Sequence, residues 1–116
     1  MKRLLILLCL PMVVLAQKTY VPDDNFEQKL INLGYDNMLD DSVSTASINN
    51  ILSLDIAYSN ITDLTGIEDF ISLVNLECHD NQLTTLDLSN NINLEILRAA
   101  DNQMNTLNLN NNNLLK

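Results

Sequence analysis

The chain has 116 residues, 47% of them apolar, which limits it to one small domain. Fifteen acids against six bases leave a net charge of −9. Without a basic stripe to displace phosphate counterions, nucleic-acid binding and attachment to an anionic membrane surface are both disfavoured. The acidity by itself confers solubility and identifies no cationic partner.

Lys2 and Arg3 precede an apolar run from Leu4 to Leu15, and Val14-Leu15-Ala16 supplies small or apolar residues for cleavage. This is the layout of a secretory signal peptide over residues 1–16, cut between Ala16 and Gln17. A transmembrane anchor is the competing reading. The run is broken by Pro11 and is shorter than the roughly 20 apolar residues that span a bilayer. Lipid attachment requires a small residue before the cysteine, and Cys9 follows Leu8. Export places the remaining 17–116 chain outside the cell or on its surface, with Lys18, Lys29, Arg98 and Lys116 against fifteen acids, a net charge of −11. No membrane insertion of this mature chain is expected. Cys78 is then its only cysteine, so an internal disulfide is excluded.

Residues 17–50 read as an N-terminal helical cap and connector. Gln17 to Tyr20 is extended, and a helix follows that Asp23 or Asp24 caps. Phe26, Leu30 and Leu33 form its apolar face, and Gly34 stops it. Asp36, Asp40 and Asp41 suggest a calcium loop, but the D-x-[DN]-x-[DN]-G spacing, the central glycine and the distal glutamate are missing. The stretch reads better as a solvated turn. Val43 to Asn50 is a polar connector with room for a short strand, Ile48 its one large apolar residue apart from Val43 at its start.

Residues 51–116 repeat. Leu73 to Leu86 and Leu94 to Leu107 both fit L-x-x-L-x-(small or Cys)-x-x-N-x-(Leu or Met)-x-x-L, with matched positions 21 apart. Ile51 to Leu64 is an earlier copy, 22 residues before the second, with Ser59 where Asn81 and Asn102 stand. This is a leucine-rich repeat, and such a period means a solenoid. Its short parallel strands line the concave side, and the convex side is mostly irregular, with about three coils. Within each strand alternate side chains turn inward: Leu54 with Ile56, Leu76 with Cys78, Leu97 with Ala99. Cys78 is therefore read as a small buried hydrophobe rather than a reactive thiol. Asn81 and Asn102 are structural, their amides satisfying peptide groups across the coils.

The outward residues form rows: Ser53, Asn75 and Ile96; Asp55, Glu77 and Arg98; Ala57, His79 and Ala100; Tyr58, Asp80 and Asp101. Ligands of curved solenoids sit on this surface. Tyr58, Glu77, His79 and Arg98 are the candidate contacts, weighed against an ordinary solvated face. No catalytic residue, cofactor or metal site is expected. His79 is the only histidine, no zinc spacing is present, and Cys78 and His79 point to opposite faces of a strand. The last copy stops at Lys116 with no capping segment, so the chain is expected to be a piece of a longer reading frame that self-associates through its uncapped coil.

Asn81-Gln82-Leu83-Thr84-Thr85-Leu86-Asp87-Leu88-Ser89-Asn90-Asn91 resembles the repeats of the secreted, internalin-like leucine-rich repeat proteins of Bacteroidetes-type bacteria. Tyr20 to Glu27 and Gly34-Tyr35-Asp36 resemble the cap that precedes such repeats, and Thr62 to Glu68 is similar to the first repeat. The resemblance implies an extracellular or cell-surface protein without enzyme activity that binds protein or glycan ligands through its concave face in adhesion. It also implies further repeats and a sorting domain, neither of which stands in this sequence. The alternatives are a targeting module of a longer secreted enzyme and a truncated product without its own function.

Overall fold

The computed structural model describes residues 16–116, so the expected signal segment lies, except for Ala16, outside the described residues. Among these residues no helix is long and apolar enough to cross a membrane. The N-terminal part is built from strand β1 (Lys18–Tyr20), helix α1 (Asp24–Asn32), strand β2 (Ser42–Ser44) and the four-residue helix α2 (Thr45–Ile48). The extended lead-in is thus paired: β1 runs antiparallel to β2, with Thr19 opposite Val43.

Helix α1 begins where expected. The Asp23 carboxylate accepts hydrogen bonds from the N–H groups of Asn25 and Phe26 at 2.9 and 3.0 Å, filling two of the donors that a helix start leaves free. It ends in a Schellman turn at Gly34 (φ +90°), with Gly34 N–H on Ile31 O and Tyr35 N–H on Leu30 O. Its buried face differs from the expected one. Phe26 and Leu30 are buried, but Leu33, which caps the helix past its last residue, is 41% exposed. Glu27 is buried instead.

The coils follow with strands β3 (Ser53–Asp55), β4 (Asn75–Glu77), β5 (Thr85–Asp87), β6 (Ile96–Arg98) and β7 (Thr106–Asn108). β3, β4 and β6 form a three-stranded parallel sheet, and β5 pairs with β7 in a second one. The outer side is therefore more regular than its sequence suggested. The extra residue of the first repeat enters through Gly66 (φ +111°) and a 3-10 helix, Ile67–Asp69.

One core runs through both parts. Leu54, Ile56, Ile61, Leu73, Leu76, Cys78, Leu83, Leu86, Leu88 and Leu94 are all buried between the sheets. Each leucine and isoleucine among them removes a large apolar side chain from water, worth about 1.5–3 kcal/mol. Phe26 of α1 stacks on Phe70 of the first coil at 6.2 Å between centroids, so the cap closes the apolar end of the solenoid. Buried Thr19 adds a polar tie, donating to Asp69 at 2.7 Å beside a 2.8 Å contact with the Thr45 hydroxyl.

Candidate recognition surface

The three-stranded sheet fixes the outward side chains in register. Ser53 stands beside Asn75 and Ile96, and Asp55 beside Glu77 and Arg98, as the 22- and 21-residue steps require. The ladder continues past the strands, with Tyr58 N–H on His79 O at 3.3 Å and Asp80 N–H on Ala100 O at 3.0 Å. The row Tyr58, Asp80 and Asp101 shares a left-handed backbone, with φ of 54°, 56° and 56°. This is where each coil bends off the sheet. Aspartate tolerates that conformation, whereas a bulky aromatic adopts it rarely.

Two asparagines hold the bend. The Asn81 carboxamide accepts from Ser59 N–H and Ile61 N–H, both at 3.0 Å, and donates to the carbonyls of Ile56, Cys78 and His79. Asn102 accepts from Leu83 N–H and donates to the carbonyls of Cys78, Ala99 and Ala100. In the first coil the Ser59 hydroxyl bonds Ala57 O at 2.9 Å, within its own coil. The cap also reaches this bend, with the Asn25 amide donating to Asn60 O.

Around this bend Tyr58, Glu77 and His79 come together. Tyr58 is 75% exposed and meets the His79 ring edge-on, with centroids 5.3 Å apart. His79 Nδ1 lies 2.8 Å from Asp80, and Nε2 lies 3.8 Å from Glu77. The Asp80 hydrogen bond raises the His79 pKa above its ordinary 6.5 against a smaller lowering by burial, and the fields of Asp80, Glu77 and Asp55 add to the rise. The Tyr58 phenol is also raised, first by the Asp80 charge and then by its hydrogen bond to Asp80. Arg98 stands in register beside Glu77 but makes no ion pair among the described residues. Ala57, expected on an open row, is 8% exposed.

Sequence reasoning missed three features. Tyr58 also walls an open depression with Asn25, Gln28, Lys29 and Asn32 of α1, so the cap helix borders the surface. A second asparagine ladder runs on the outer side: Asn91 donates to Ile67 O and Phe70 O, and Asn112 to Leu88 O and Asn91 O. Its signal, the 21-residue spacing of Asn91 and Asn112, was present inside what looked like an asparagine-rich run.

The third is the acid-rich stretch after α1, which is more than a solvated turn. The Asp40 and Asp41 N–H groups donate to buried Glu27, and one carboxylate oxygen each of Glu27, Asp36 and Asp40 lie within 4.8 Å of one another. Burial and the facing Asp36 push the Glu27 carboxyl up to about 7, against the lowering by the two N–H donors. Cys78 is fully buried, and that burial pushes its thiol up to about 12, so it is not a nucleophile at neutral pH.

No protein-family model matches the chain. Over 72 residues, 62% of its length, it is 39% identical to Internalin J of Listeria monocytogenes serotype 4b, and 38% identical to Internalin J of a serovar 1/2a strain. It spans 8% of the length of either relative. Among solved structures, the functional domain of Internalin J from L. monocytogenes, which includes a cysteine ladder, superposes with a TM-score of 0.76 at 33% identity. That match covers 90% of this chain and 24% of the other. Internalin C2 of the same species gives 0.65 at 24% identity over 87% of this chain and 52% of the other, a likeness of fold alone. The chain is thus a leucine-rich repeat solenoid with a helical N-terminal part, similar in fold to internalin structures and in sequence to Internalin J.

Proposed function

We propose that the chain is an exported recognition module that binds an extracellular protein or glycan through the three-stranded face, as the concave surface of an adhesive protein. Tyr58, Glu77, His79 and Arg98 make the contacts. The observation that carries this reading is Tyr58 itself. A tyrosine three-quarters exposed, held at φ +54° where later coils place aspartate, costs roughly 1–3 kcal/mol of backbone strain with no burial in return. Large aromatics are enriched among the residues that dominate binding interfaces. Next to Tyr58 the His79–Asp80 pair, and in register beside Glu77 the Arg98 side chain, without an ion pair among the described residues, offer both signs of charge and both donors and acceptors. The relation to Internalin J supports recognition rather than catalysis, and the signal layout of residues 1–16 supports export.

The test is a glycan array and a panel of purified extracellular proteins, probed with the chain and with a Tyr58→Ala/Arg98→Ala variant. Each signal of the parent should fall about tenfold or more in the variant, as expected for removing an aromatic anchor and a charged contact. Undiminished signals from a folded variant would place the binding elsewhere.

A further inference from the structure

Helix α1 presents a mostly uncharged polar stripe to the first coil. Asn25, Gln28, Lys29 and Asn32 fall at i, i+3, i+4 and i+7, the spacing that puts side chains on one helix face. Across from them the first coil bends through Tyr58 and Asn60, both in the left-handed backbone at φ of 54° and 55°. The two elements border an open depression of about 300 Å³, at the lower end of the roughly 300–1,000 Å³ that small-molecule clefts occupy. The Asn25 amide ties its two sides together, donating to Asn60 O at 3.0 Å.

The amides here keep unused donors and acceptors. Gln28 donates to Asn32 Oδ1 at 3.0 Å, which leaves Gln28 Oε1, Asn25 Oδ1 and Asn32 Nδ2 without a partner among the described residues. A carboxamide carries donors and acceptors in one plane, the match for hydroxyl groups, each of which donates and accepts. Tyr58 is the aromatic wall. Its hydroxyl bonds Asp80 and its ring meets His79, so it is held before any ligand arrives while the residue stays 75% exposed. Lys29 is the one charged residue lining the depression, in a chain of fifteen acids and six bases. It makes no ion pair among the described residues.

A pyranose ring has the complementary anatomy: a face of C–H groups that packs on an aromatic ring, and an edge of hydroxyls that pairs with planar amides. We propose that this depression takes one saccharide unit bearing a carboxylate, a uronic or sialic acid residue of an extracellular glycan. Its ring lies against Tyr58, its hydroxyls pair with Asn25, Gln28 and Asn32, and its carboxylate meets Lys29. The assignment rests on the reading of Tyr58 as a ligand contact, and it puts the sugar on the cap side of that residue rather than over the three-stranded face.

The experiment titrates the isotope-labelled chain with methyl glycosides of glucuronic, galacturonic and N-acetylneuraminic acid, each beside its carboxyl methyl ester, followed by amide NMR shifts. At least one acid should bind with a millimolar Kd, as ligands of one ring do, and move the amides of Gln28, Lys29, Asn32 and Tyr58. Those of Ser53 to Asp55 should stay. The ester should bind about fivefold more weakly, and a Lys29→Gln chain with an otherwise native spectrum should bind acid and ester alike. Tyr58→Ala should weaken both about fivefold, whereas Arg98→Ala should change neither. Acid and ester bound alike by the parent, shifts confined to the three-stranded face, or no shifts with any probe at tens of millimolar would overturn the proposal. Binding of acidic glycans that needs Arg98 but not Lys29 would also overturn it and leave the sheet-face reading standing. Lys29-dependent shifts without any Arg98-dependent array signal would uphold the depression and sink the sheet face.

Discussion

Asp23 clasps Thr62 across 39 residues, its Oδ2 accepting both the backbone N–H at 2.9 Å and the hydroxyl at 3.0 Å, while its Oδ1 caps helix α1. One carboxylate thus starts the helix and fastens it to the first coil. Asp23→Ala should destabilise the fold by about 1–3 kcal/mol, more than a cap alone, because the N–H groups of Thr62 and Asp63 lose their acceptor too. Urea unfolding of the two chains measures this. Burial raises the Asp23 pKa, but the hydrogen bonds from Thr62, Phe26 and Asp63 outweigh it and hold the pKa below 3.8. The stabilisation is present above that ordinary value and is lost as pH falls through the lower folded one.

Glu27 acts with the opposite sign. Its carboxyl, raised from 4.5 to about 7, keeps a proton in the folded chain over a range where the unfolded chain has released it. Stability should therefore fall as pH rises from about 4.5 to about 7. His79, raised above 6.5, contributes in the same direction only above that value, so pH 5 and pH 6.5 isolate Glu27. Thermal melts should give a higher Tm at pH 5 than at pH 6.5. Glu27→Gln should remove most of that difference; a slope unchanged by the substitution would assign it to another group.

Asn81 should be the costliest polar side chain to lose. Asn81→Ala leaves the Ser59 and Ile61 N–H groups and the Ile56 carbonyl without their partner at a buried bend, worth about 2–4 kcal/mol in all. Asn102→Ala should cost less, since its Nδ2 contacts are more exposed. Paired denaturation curves give the order, and equal losses would deny the ladder its dependence on burial.

Gly66→Ala tests the junction between cap and coils. A Cβ at this position would stand 2.9 Å from the Tyr20 carbonyl oxygen and 2.9 Å from Val21 Cγ2, at a φ of +111° that L-residues avoid. The backbone conformation alone costs roughly 1–3 kcal/mol, and the clash with main chain adds to it. Gly34→Ala, at φ +90° with open space around the new methyl, should cost only the conformational part. A differential scanning comparison of the two variants separates strain from crowding.

The repeat was legible because its determinants are local and periodic. Leucines 21 residues apart dictate which side chains point inward, and the strand registers Asp55–Glu77–Arg98 and Leu54–Leu76–Leu97 follow from counting. The same counting brought Tyr58, Asp80 and Asp101 into one row, though not their shared left-handed backbone. The cap helix with Asp23 and Gly34 was readable from end signals that act within a few residues.

What the tertiary structure alone decided depends on residues far apart in the chain. Leu33 was placed in the core by helical period, yet Glu27 is buried there, because the Asp40 and Asp41 N–H groups arrive to bond its carboxylate. The Tyr58–His79 contact, the α1 wall beside Tyr58 and the gap between β5 and the first coil all arise between segments some twenty or more residues apart in the chain. By itself the sequence determined the solenoid and the faces of its strands, since hydrophobic period is a property of neighbours. Only the packed chain decided which charges are buried, which backbone groups stay free and which side chains meet, since those depend on what a distant segment brings to each site.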